Sequence, residues 1–152
     1  GIINDRSLPK MILVDTMKKI ELEANILIYK LIGLYILLVN EESSGWEILV
    51  KKNGAILGIE HTSGFEKFII NVCLKITLDT YKFSDKIQFF AIDEAFDCVS
   101  GENVYKIEEL FSILRAHYTN VLIISHNEEL KKMIDHRIYI DSDFICSKIK
   151  QV

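Results

Sequence analysis

The feature that most restricts this chain is a pair of short, β-prone apolar runs that each break off into polar residues. Phe89-Phe90-Ala91-Ile92 stops at Asp93-Glu94, and further on residues 121–124 stop at Ser125-His126. Between them Val104, Ile107, Phe111 and Leu114 recur at intervals of three and four, the period of a helix with one buried face. Strand, helix and strand in that order make a right-handed βαβ unit with parallel strands. In open α/β sheets, ligands bind just beyond the carboxyl ends of the strands, so both polar clusters fall on the edge where chemistry is expected. An acid pair beside a histidine at that edge suits handling of a metal-bound triphosphate.

Composition narrows the class further. With 152 residues, 49% hydrophobic and 26% charged, the chain can bury one core and reads as one globular domain. A formal net charge of −4 argues against a surface coated in basic residues for nucleic acid, although a local basic patch remains compatible with it. Cys73, Cys98 and Cys146 are odd in number, far apart and without C-x-x-C spacing. They suggest neither a disulfide framework nor a zinc site, and they fit a reducing intracellular compartment rather than secretion. The most hydrophobic stretch, 24–39, contains Lys30 and Gly33 and is shorter than the ~20 apolar residues of a membrane span, so a buried helix followed by a strand is expected. The start carries no secretory signal, and its first residue, Gly1, points to a segment of a longer chain.

Residues 1–34 are expected to form an incoming amphipathic helix, with Met17, Ile20, Ala24, Leu27 and Leu31 on its buried face and Gly33 at its end. Residues 35–41, 46–52 and 55–59 read as strands of a small antiparallel meander, turning at 42–45 and at Asn53-Gly54. From residue 61 to 152 the pattern becomes α/β. A helix is expected at 65–80, a strand at 88–92, a helix at 103–117, a strand at 121–124, a short helix at 128–134 and a last strand at 137–140. The only proline is Pro9, and no repeats or low-complexity tracts occur.

Asp93 and Glu94 stand where a strand leaves the sheet. On extended backbone, neighbouring side chains point to opposite sides, so one carboxylate can hold Mg²⁺ through its water shell while the other polarises an attacking water as general base. Ser63-Gly64-Phe65-Glu66 fits S-x-x-E, a capping box in which Ser63 caps the helix and Glu66 reaches back. The same helix start, with free amides, a hydroxyl and a glycine, can also receive a phosphate, and capping leaves several amides unused. His126, after the second run, can donate a hydrogen bond to a terminal phosphate. His61, His117 and His136 share no metal-ligand spacing.

In order and spacing, S-G-x-E at a helix start, then an apolar run closing in D-E, then a βα unit closing in S-H, the chain resembles the C-terminal half of an ABC-type ATPase head, and more narrowly the SMC and SbcC group. The resemblance covers about residues 60–140. It implies a C-terminal lobe of a P-loop NTPase head, with a parallel sheet flanked by helices and a small antiparallel meander near the N-terminus. It implies that Ser63, Gly64 and Glu66 belong to the signature loop and meet the ATP of an opposing subunit. Asp93 would hold Mg²⁺, Glu94 would be catalytic and His126 would be the switch histidine. The chain departs from the family at Phe65, where a second glycine is usual, and at Val99-Ser100, the ungapped counterpart of the D-loop Leu-Asp; Asp97 is near but out of register.

None of the seven glycines opens G-x-x-x-x-G-K-[ST], so no P-loop is present. The resemblance therefore implies an N-terminal P-loop lobe of the same protein as partner, a second head in a homodimer around ATP, DNA as a partner and an SbcD-type nuclease as an associate, without a membrane. The expected role is ATP hydrolysis in double-strand-break repair or chromosome maintenance. Two alternatives stay open: the nucleotide-binding subunit of an ABC transporter, and a clamp that binds ATP and dimerises without hydrolysing it.

Overall fold

The computed structural model describes residues 7–41, 45–81, 89–94, 96, 99, 101–142 and 147–151. The first helix, α1 (Ser7–Ile32), ends where Gly33 takes a φ of 67° and its amide donates to the Tyr29 carbonyl at 2.8 Å, a left-handed cap that glycine enters without strain. Ile20, Ala24, Ile28 and Leu31 are buried against the body. The opposite side of α1 is also apolar, with Leu22, Ile26 and Tyr29 exposed, so the helix carries more than the single buried stripe expected from its spacing.

Strands β1 (Tyr35–Glu41), β2 (Gly45–Lys52) and β3 (Ala55–Gly58) form the antiparallel meander, with Ile36 opposite Val50 and Val50 opposite Leu57. Asn53 and Gly54, at φ of 51° and 81°, make the tight turn between β2 and β3, as the Asn-Gly pair predicts. Most of the expected 42–45 turn lies outside the described residues. The outer edge of β1 is closed by side chains of α1. The Asn25 amide donates to the Ile36 carbonyl at 2.9 Å and accepts from the Ile36 amide at 2.7 Å, while Glu21 accepts from the Leu38 amide at 2.6 Å.

Helix α2 (Gly64–Tyr81) packs along α1 and buries Phe65, Phe68, Ile69, Val72, Cys73 and Ile76, the positions its period assigns to the core. Burial pushes the Cys73 thiol up to about 12, so it behaves as a small apolar side chain. Strand β4 (Phe89–Asp93), helix α3 (Val104–His117) and strand β5 (Asn120–Ile124) form the βαβ unit, with the strands parallel and in register from Phe89 opposite Asn120 to Asp93 opposite Ile124. Phe90 and Ile92 are buried on the helical side; Phe89, Leu122 and Ile124 on the other side stay exposed. Phe96, fully buried, meets Phe68 edge-on at 5.0 Å and Phe111 at 5.8 Å, which fastens the loop after β4 into the core.

A short helix, α4 (Glu128–Lys131), follows, and the chain closes in an antiparallel hairpin of β6 (Ile138–Ser142) and β7 (Ser147–Gln151). The expected last strand at 137–140 therefore does not extend the parallel pattern. Four residues separate β6 from β7, too few for the crossover that parallel pairing requires, and β7 itself, Ser-Lys-Ile-Lys-Gln, carries too little apolar character to read as a strand. The structure is thus α/β, with parallel and antiparallel pieces as expected and a further hairpin.

Candidate active site

The start of α2 is a reciprocal capping box. The Glu66 amide donates to Ser63 Oγ at 3.2 Å and the Ser63 amide donates to Glu66 Oε2 at 2.9 Å. Ser63 and Gly64 remain exposed. Phe65, where the resemblance leads one to expect a second glycine, has helical backbone and turns its ring into the core, 6% exposed, so it does not stand in front of the helix start. Two lysines from other elements grip this turn. Lys52, at the end of β2, donates to both oxygens of Glu66 at 2.8 and 3.1 Å, and Lys106, in the first turn of α3, sits over the Phe65 ring at 5.6 Å. Burial pushes the Glu66 carboxyl up, but the hydrogen bond from Lys52, the one from the Ser63 amide and the Lys52 charge outweigh it and hold the group below its ordinary value of 4.5. The sequence holds no signal for Lys52 or Lys106, because neither stands in a motif.

At the tip of β4, Asp93 is exposed and lines an open groove with Gly64, Lys67, Asn71, Lys75 and Phe90. Glu94 is not on extended backbone as expected. Its φ is 49°, the left-handed region, while its amide still donates to the Ile124 carbonyl at 2.9 Å. The side chain therefore leaves the strand alternation and turns toward the tip of β5. There His126 Nε2 lies 3.6 Å from Glu94 Oε1, with both side chains open to solvent. The loop that carries His126 is held by its neighbours. The Asn127 amide donates to Ser125 Oγ at 3.1 Å, and Asn127 Oδ1 accepts from the Glu129 amide at 2.9 Å to cap α4. The cap at Asn127 was readable from Asn-Glu-Glu.

The structure thus brings Glu94 and His126 together and puts Asp93 and Gly64 on one groove. Val99 is buried, while Ser100 and Asp97 lie outside the described residues, as do Cys98 and Cys146. Among the described residues no group of three or more His, Cys, Asp or Glu side chains could hold a metal ion. Mg²⁺ is commonly held by one or two carboxylates, phosphate oxygens and waters, and a single exposed aspartate at a strand tip fits that donor set. Among the described residues no helix is long and apolar enough to cross a membrane.

No protein-family model matches the chain. Two curated relatives do. An uncharacterised protein of Acanthamoeba polyphaga mimivirus is 35% identical over 83 residues, 55% of this chain and 6% of its own length. The DNA double-strand break repair Rad50 ATPase of Archaeoglobus fulgidus is 24% identical over 106 residues, 70% of this chain and 12% of its own length. The chain spans a small part of both. Among solved structures, one from work on ATP-driven dimerisation and DNA-stimulated activation of SMC ATPases superimposes with a TM-score of 0.75 at 21% identity, over 94% of this chain and 89% of the other. An Smc head domain with coiled coil and joint from Pyrococcus yayanosii gives 0.74 at 20%, over 97% of this chain and 29% of the other. The SMC head domain of Thermotoga maritima gives 0.64 at 22%, over 92% and 49%. The fold is that of an SMC-type ATPase head, and this chain resembles the C-terminal half of one.

Proposed function

We propose that the chain is the C-terminal part of an ATP-hydrolysing, SMC- or SbcC-like head that closes on a second head around ATP and acts in DNA double-strand-break repair or chromosome maintenance. The observation that carries this reading is the meeting of Glu94 and His126, 3.6 Å apart, at the tips of two adjacent parallel strands. Glu94 would take a proton from a water attacking the γ-phosphate, and His126 would orient that carboxylate and donate to the phosphate. Asp93 would hold Mg²⁺ through its water shell; the ion, when bound with ATP, neutralises charge on the phosphate oxygens. Ser63 would offer its hydroxyl, and Gly64 its helix-start amide, to the γ-phosphate of ATP on the opposing head. An N-terminal lobe supplies the P-loop, and DNA with an SbcD-type nuclease are the partners consistent with the repair role.

The test is Glu94→Gln in the polypeptide that carries this chain together with its P-loop lobe. Turnover should fall at least about a hundredfold while an ATP-dependent dimer accumulates in light scattering. Unchanged turnover would remove Glu94 from the chemistry, and with it the reading.

A further inference from the structure

A carboxylate in the first turn of the helix that is to receive a phosphate is an electrostatic problem, and the structure shows how it is met. Glu66 stands three residues from Ser63, and its side chain is only 18% exposed. Left alone, its charge would oppose a γ-phosphate arriving at Ser63 and Gly64. Lys52 lies against it, donating to both carboxylate oxygens, and comes from a different element, the end of β2. We infer that Lys52 is a positioning residue for the signature turn: its ammonium cancels the Glu66 charge and locks Glu66 onto the Ser63 amide, which leaves the helix start open to an anion. The inference deepens the proposed reading and rests on it.

The pairing has a mechanical side as well. Asn25 and Glu21 of α1 bind the backbone of β1, β1 pairs with β2 along its whole length, and β2 ends at Lys52. The lysine therefore ties the signature turn to a sheet that α1 holds at its other side.

The experiment is a double-mutant cycle in the full polypeptide with its P-loop lobe, using Glu94→Gln as the parent and ATP as the probe. Dimer formation is followed by light scattering across an ATP titration, with thermal melts as a control for folding. Lys52→Ala should raise the ATP concentration needed for half-dimerisation by roughly three- to tenfold, and Lys52→Arg should keep the parent value. In the Glu66→Gln background, where no charge needs cancelling, Lys52→Ala should cost less than about twofold. An equal penalty in both backgrounds, or none in the Glu66 background, overturns the assignment while leaving the head reading intact. A Glu94→Gln parent that forms no dimer with ATP removes both.

Discussion

Glu94 sits at a φ of 49°, a conformation that costs an L residue about 1–2 kcal/mol, and its side chain meets His126 because of it. Had the strand continued one residue further in extended form, the carboxylate would have followed the alternation of β4 instead of turning toward β5. That Asp93, Glu94 and His126 mark one edge of a sheet was legible in the sequence, since apolar runs ending in polar residues carry the period of a strand. The left-handed kink was not, because nothing in the local sequence distinguishes Glu94 from a residue that continues the strand. Glu66 offers a test at the same scale. Its carboxyl is held below 4.5 in the folded state, so the stability it contributes is present above the ordinary carboxylate value and disappears as pH falls through the lower folded value. The difference in melting temperature between the parent and Glu66→Gln should be present near about pH 7 and close on titration toward about pH 3. A difference that persists unchanged in acid would show that the Lys52 pair does not hold the turn.

Among the elements, the stretch after β4 is tied to the core at Phe96. Phe96 is fully buried between Phe68 of α2 and Phe111 of α3, and so links the helix that starts at the Ser63 capping box to the one that carries Lys106. Phe96→Ala should cost about 3–5 kcal/mol, read as a lower denaturant midpoint with an unchanged slope. Phe96 carries no signal of burial in the sequence, because a lone aromatic among Asp and Cys has no period. Helices α1, α2 and α3 and the meander strands were legible, since each repeats its own spacing over several turns or alternations. The closing hairpin was not, for β7 has a single isoleucine among charged and polar residues.

For the whole molecule, the parallel pair β4 and β5 is covered by helices on one side only among the described residues. Phe89 at 53%, Leu122 at 43% and Ile124 at 47% exposure form an apolar face, although parallel sheets are almost always buried on both sides. The face is large enough in character to need a cover, which the proposed P-loop lobe would supply. Expressed alone, the chain should self-associate in light scattering. Leu122→Ser with Ile124→Thr should reduce that association yet weaken co-purification with the P-loop lobe. A monodisperse parent chain, or unchanged pairing with the lobe, would show that this face is not where the lobe sits.

The hydrogen bonds from Asn25 and Glu21 to Ile36 and Leu38 have a consequence for motion. An amide that stands in for a neighbouring strand allows no sliding, because both its donor and its acceptor are matched to one residue of β1. Twisting α1 about its long axis would therefore pull directly on the backbone of β1, so helix and strand turn as one piece.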